Sequence, residues 1–211
     1  MGKYSIGVNG AFSGKIGSAI GSNWRNVDYM RGLAKRRKRG TSDLQLAQQM
    51  RFALCANQLR VIKDLLNVGF SDKKLNKITG YNAAVRFFLN EAITGEYPTF
   101  GVDYSKMRIS RGSLDKLTEL NMSIDTSISI VWKPEFNVFS AFADDTLFFL
   151  LYNENMKSYR LFDEAKRQDG TISISFGSSP GDVVHVWVFG IKRDGLAVSD
   201  SQYVGTVTVP V

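Results

Sequence analysis

Ser179-Pro180-Gly181-Asp182, followed by Val183-Val184-His185-Val186-Trp187-Val188-Phe189-Gly190-Ile191, reads as a turn that delivers a strand. Proline then glycine is turn chemistry, and the run behind it is β-branched and aromatic. Successive side chains of a strand point to opposite faces, so this strand is apolar on both, with His185 on the face of Val183, Trp187 and Phe189. Similar runs lie on either side: Tyr104–Arg111, Ser127–Lys133, Thr146–Asn153, Ser158–Phe162, Thr171–Phe176 and Tyr203–Val209, with Asp169-Gly170 and Asp194-Gly195 as further turns. Seven strands in about 100 residues predict an immunoglobulin- or fibronectin-like β-sandwich over residues 99–211. Trp132 and Trp187 are its expected core anchors. Cys55 is the chain's one cysteine, so the sandwich has no internal disulfide, as is normal for the fibronectin-like version.

Residues 41–98 read as a small helical region. Ser42 with Gln45 matches a capping box, and Leu44, Ala47, Met50, Leu54, Leu59, Ile62 and Leu66 recur at helical spacing. A long helix from Asp43 to Val68, capped by Gly69, is expected. Ser71 and Lys73–Lys77 suggest a short helical turn, and Asn82–Ile93 a further helix ended by Gly95 and Pro98.

Residues 1–40 hold eight of the nineteen glycines. Glycine costs a helix about 1 kcal/mol per position against alanine, so an extended arm is expected. After Lys15 it becomes a β-ribbon in which Ile16, Ile20 and Trp24 precede an Arg25-Asn26 turn and Val27, Tyr29 and Met30 follow. A lone two-stranded ribbon is marginal in water and must lean on something, either its own chain or a neighbouring subunit. The whole is therefore an α+β chain: basic Gly-rich arm and ribbon (1–40), helical region (41–98), seven-stranded sandwich (99–211).

Charge divides the chain unevenly. The net +7 comprises nine Lys or Arg against Asp28 alone in residues 1–40, ten basic against six acidic in 41–111, and eight basic against thirteen acidic in 112–211. A basic front and acidic rear can orient subunits head to tail or bring one end to a polyanion. Hydrophobic residues at 44% and charged ones at 22% are those of a globular protein. No opening apolar run resembles a signal segment, and no stretch reaches the roughly 18–20 apolar residues that span a bilayer. Cytoplasmic synthesis without a signal peptide is the expectation, with residence in a virion or another assembled particle.

Phe12-Ser13-Gly14-Lys15-Ile16-Gly17 behind an opening Met1-Gly2-Lys3, then Trp24 and Tyr29-Met30-Arg31, resemble the start of an uncharacterised family of Bacteroidota proteins of similar length. Thr94-Gly95-Glu96-Tyr97-Pro98 and Ser110-Arg111-Gly112-Ser113-Leu114 extend the resemblance along the chain. The chain departs from that pattern at Lys35–Arg39, where relatives are less basic. The resemblance implies a shared fold and brings no activity with it.

Few residues offer chemistry. Lys35, Arg36, Arg37, Lys38 and Arg39 are consecutive cations suited to phosphates or to an acidic neighbour, and without interleaved aromatics they form no base-stacking platform. Gly10–Ile16 only superficially matches a phosphate loop: it has three residues between its glycines instead of four, and Ile16 stands where a Ser or Thr would hold magnesium. His185 reads as a hydrogen-bonded structural histidine and Cys55 as a small core residue, so no Cys–His dyad is expected. Asp144-Asp145 reads as a solvated loop, and Asn121-Met122-Ser123 is a glycosylation triplet without a secretory signal. The expectation is a non-catalytic structural protein without cofactor or metal. It self-assembles as a homo-oligomer through Phe12, Lys15, Ile16, Ile20, Trp24, Tyr29 and Arg31, as in a virion component or other repeated assembly. The alternatives are a sandwich module binding a glycan, peptide or protein, and a non-specific nucleic-acid binder acting through Lys35–Arg39.

Overall fold

The computed structural model describes residues 3–4, 10–24, 27–35, 40–71, 78–125, 127–137, 140–175, 177 and 179–210. It divides into two compact units, Met1–Asp43 and Leu44–Val211.

The first unit differs from an arm with a two-stranded ribbon. Strands β1 (Lys3–Tyr4), β2 (Phe12–Ile16), β3 (Ala19–Trp24) and β4 (Val27–Gly32) form one four-stranded antiparallel sheet in chain order. The glycines make this possible. Gly17 (φ 56°) opens the two-residue loop between β2 and β3, the position a II′ hairpin turn reserves for glycine. A Cβ on Gly21 would fall on the carbonyl oxygen and ring of Phe12, so only glycine lets β2 lie this close. The Arg25-Asn26 turn lies outside the described residues, but Trp24 pairs with Val27 across it, in the expected register.

The second unit is built on the apolar strand. β7 (Thr118–Ile124), β8 (Ile128–Lys133), β9 (Thr146–Asn153), β10 (Ser158–Lys166), β11 (Thr171–Ile174), β12 (Val183–Ile191) and β13 (Gln202–Thr208) form two sheets, β11-β8-β7 and β10-β9-β12-β13. They face each other across Ile128, Ile130 and Trp132 from one side and Leu147, Phe149, Leu151, Val184, Val186 and Val188 from the other, which is a β-sandwich. The turn before β12 has the expected chemistry: the Asp182 N–H donates to the Ser179 carbonyl (3.1 Å), with Pro180 next and Gly181 at φ 87°, a type II arrangement.

The other face of β9 and β12 explains why these strands are apolar in both registers. Leu150, Tyr152, Trp187 and Phe189 pack against a helical layer, so the four-stranded sheet is covered on both sides. Trp132 is thus an anchor between the sheets, while Trp187 anchors the helices to the sheet. In that layer lie α1 (Asp43–Leu59), α2 (Lys63–Gly69) and α3 (Gly80–Phe87), the last running into a π-helical turn, Phe88–Ala92. α3 is capped by Thr79, whose hydroxyl accepts from the Asn82 N–H (3.1 Å).

Three expectations are corrected. The single helix Asp43–Val68 breaks after Leu59, and the break lets Leu59, Ile62, Leu65 and Leu66 all reach the sheet. Gly69 ends α2 where a Cβ would fall on the Ile109 carbonyl, so the following segment can cross there. Tyr104–Arg111 is not a strand: it opens with a 3₁₀ turn (Tyr104–Lys106) and then lies across the helical layer with Met107 and Ile109 buried. Its main chain bonds outside any ladder, Ile109 N–H to Ser201 Oγ (3.1 Å) and Arg111 N–H to the Gly69 carbonyl (2.9 Å). The seventh strand is β7, and Gly95 and Pro98 belong to a hairpin, β5 (Ile93–Glu96) with β6 (Thr99–Val102). The helical turn expected at Lys73–Lys77 lies outside the described residues.

Candidate assembly surface

Registers in the N-terminal sheet sort the expected contact residues onto two faces. Gly14 pairs with Gly21 and Lys15 with Ile20; Ser22 pairs with Tyr29 and Ile20 with Arg31. Lys15, Ile20, Trp24, Tyr29 and Arg31 therefore share one face together with Val27, while Phe12 and Ile16 lie on the other, across Gly21. The first face carries an open apolar group flanked by Lys15 and Arg31: Trp24, Val27 and Tyr29 are 48%, 61% and 47% exposed.

β4 is the end strand of this sheet, and all six of its residues are exposed. Its pairing with β3 runs unbroken from Trp24–Val27 to Ala19–Gly32, so no bulge twists the edge away. Asp28 accepts from the Asn23 side chain (2.8 Å), which draws its carboxylate back over β3. Of the basic run, Lys35 is exposed, and Arg36, Arg37, Lys38 and Arg39 lie outside the described residues.

The chemistry-bearing residues of the second unit serve its packing. His185 is buried on the helix-facing side of β12 with the Tyr104 ring tilted against its own, centroids 4.3 Å apart. Its Nδ1 lies 2.9 Å from the Tyr203 hydroxyl and 3.0 Å from that of Thr206, and its Nε2 lies 3.5 Å from Glu154, at the limit of a hydrogen bond. Burial pulls the imidazole below its ordinary pKa, with Glu154 opposing. Gln58 of α1 stitches the neighbouring phenols: it donates to Tyr104 (3.3 Å) and Tyr152 (3.4 Å) and accepts from Tyr159 (2.9 Å). Burial raises the pKa of Tyr104 and Tyr159, so both hydroxyls stay protonated. Cys55 is fully buried and its thiol is pushed up to about 11, which leaves no thiolate at neutral pH.

Asp144-Asp145 departs from a solvated loop. Asp144 is exposed, but Asp145 is fully buried. It accepts from the N–H groups of Phe142 (2.8 Å) and Arg193 (3.1 Å) and faces the buried Arg167 Nε at 3.7 Å. This pair is a strut joining three loops, one the sequence reading missed; its only local signal was a carboxylate directly before an apolar strand. Beside it is an open groove of about 630 Å³ lined by Asp115, Glu135, Phe136, Asn137 and Arg167. Among the described residues no cluster of His, Cys, Asp and Glu could hold a metal, and no helix is long and apolar enough to cross a membrane.

Comparison with known proteins adds lineage and no activity. The chain is similar to the crystal structure of the FN5 domain of Drosophila Lar at 14% identity, over 47% of this chain and 99% of that one, with a TM-score of 0.34. That score is too low to support a fold assignment, which rests on the registers above. No curated protein matches the chain. The model of a family of unknown function, DUF6266, matches residues 11–205, and the chain belongs to that family.

Proposed function

We propose that this chain is a non-catalytic structural protein that assembles with copies of itself through its N-terminal sheet, as a component of a repeated assembly such as a virion. The observation that carries this reading is β4, an end strand whose six residues are all exposed and which presents Val27 (61%), Tyr29 (47%) and Met30 (71%) to solvent. Proteins normally blunt such an edge with charged side chains, lysine above all, with proline or with a bulge, because its open main-chain groups recruit another strand. β4 contains no lysine and no proline, its pairing with β3 is unbroken, and of its two charged residues Asp28 is drawn back to Asn23, which leaves Arg31. The basic first 40 residues and the net acidic residues from 112 onward add long-range attraction between unlike segments of neighbouring copies. The side chains that carry chemistry support the non-catalytic part, since His185, Cys55 and Asp145 are committed to packing and internal bonds.

The test uses the full chain. Native mass spectrometry should find a multi-subunit species, and Tyr29→Lys with Met30→Lys should reduce it to the protomer, because lysines opposed across an edge repel. A wild-type protomer, or a double variant of unchanged size, would refute the reading. The groove beside Arg167 favours a second reading, a sandwich module that binds a small polar ligand at this end; a protomeric wild type would turn attention there.

A further inference from the structure

We propose that β4 pairs antiparallel with β4 of a second copy, Met30 opposite Met30 on a two-fold axis, so that two N-terminal sheets become one. The inference rests on the assembly reading above and adds the partner, the edge and the register.

The register follows from which main-chain groups face outward. The Leu33 N–H donates to the Ser18 carbonyl (3.0 Å), and bonding alternates along an antiparallel pair. Arg31, Tyr29 and Val27 therefore also direct their main-chain groups at β3, leaving those of Asp28, Met30 and Gly32 on the open edge. Opposed residues in an antiparallel pair either both face each other or both face away. A two-fold partner must accordingly set outward residues against outward residues, and the axis passes through a residue instead of between two.

Side-chain chemistry then selects among the registers. An axis at Asp28 opposes two carboxylates, and one at Arg31 opposes two guanidinium groups; like charges directly opposed destabilise a sheet. An axis at Tyr29 sets Val27 against Arg31 and leaves Leu33 beyond the paired segment. An axis at Met30 sets Val27 against Leu33, Tyr29 against Arg31, Asp28 against Gly32 and the two Met30 side chains against each other. Each apolar residue then meets an apolar one, the guanidinium lies against an aromatic ring, and no like charges meet. Leu33, 41% exposed in the single chain, gains cover. The second copy is the one occupant whose side chains are known to be complementary in this way, because they are the same residues reversed.

Cysteine cross-linking reads the register directly. In the full chain, Met30→Cys places two cysteines opposite each other at a Cα separation of about 5.5 Å, within the roughly 4.4–6.8 Å that a disulfide spans. Tyr29→Cys leaves its pair diagonal at about 7–8 Å, too far to bridge without main-chain movement. Cys55 is fully buried, and the wild-type chain supplies the background. Under mild oxidation Met30→Cys should form a covalent dimer at least about tenfold faster than Tyr29→Cys, by the disulfide distance limits. Faster linkage of Tyr29→Cys would overturn the register. If neither variant links while native mass spectrometry shows an oligomer that Tyr29→Lys with Met30→Lys still dissociates, the two-fold β4 pairing is wrong and assembly through the N-terminal sheet survives. A protomeric wild type removes both.

Discussion

Replacing Asp145 with alanine should destabilise the second unit far more than its position beside the exposed Asp144 suggests. Its carboxylate, wholly removed from solvent, satisfies two main-chain N–H groups and lies 3.7 Å from Arg167 Nε. Arg167 is itself only 2% exposed; its Nη2 donates to the Asp115 carbonyl (2.7 Å), and its own carbonyl accepts from Trp132 Nε1 (2.9 Å). Desolvation pulls the guanidinium pKa down while Asp145 and Asp115 oppose it. Removing one partner of a buried pair costs about 3–5 kcal/mol. For a chain of this size that is roughly 6–20 °C in Tm, at about 2–4 °C per kcal/mol. Arg167→Met should cost at least about 1 kcal/mol less, because the remaining carboxylate keeps its two N–H donors. The double variant should cost less than the sum of the singles by about 1–3 kcal/mol, as for any directly coupled pair. Urea unfolding followed by tryptophan emission measures this in a Trp24→Phe background, where both remaining indoles, Trp132 and Trp187, report on the sandwich and its helical cover. An Asp145→Ala loss below about 1 kcal/mol, or strict additivity, would refute the buried-strut reasoning.

Gly21→Val should abolish the oligomer while leaving the Trp132 and Trp187 unfolding transition unchanged, because its side chain falls on Phe12 within the N-terminal sheet; a variant that still assembles would show the sheet tolerates the clash. His185 titrates below its ordinary pKa in the fold, so the unfolded chain binds the proton first. Stability should be held above about pH 6.5 and fall as pH drops from there toward the lower folded value, and His185→Gln should flatten that step in a pH series of urea midpoints. Changing all of Lys35–Arg39 to Gln separates two roles for the basic run. Phosphate contacts by all five cations would give DNA retention a log–log salt slope of about −3.5 to −4.5 that the variant loses. Docking on an acidic neighbour, the outcome we expect, instead makes oligomer size salt-sensitive without DNA. Cys55 should resist thiol reagents in the native protein and react fully in denaturant; fast native labelling would contradict its burial.

Local pattern was enough for much of the second unit. Strands Thr146–Asn153 and Val183–Ile191 were legible to the residue, because apolar, aromatic and β-branched runs bounded by polar turn residues have few other ways to fold. β7 is absent from the expected strands although Leu120, Met122 and Ile124 alternate, since Thr118, Glu119, Asn121 and Ser123 give the segment little of the β-branched and aromatic character that marks a strand. Tyr104–Arg111 has equal strand character, yet among the described residues no neighbouring strand offers it a ladder, and Ser201 and Gly69 take main-chain bonds from it instead.

In the N-terminal unit, the glycines, the Trp24–Val27 hairpin and the candidate contact residues were visible in the sequence. Two-residue hairpin signals and glycine density are local properties of the chain. That Phe12 and Ile16 face away from Trp24, that β4 ends its sheet, and that Asp28 is drawn back to Asn23 were decided by the tertiary structure. So was the commitment of Asp145 to Arg167 across an interval of 22 residues. Hydrophobic period tells which residues want cover, but faces, edges and buried ion pairs depend on which distant segment arrives to provide it, and that is settled only when the whole chain packs.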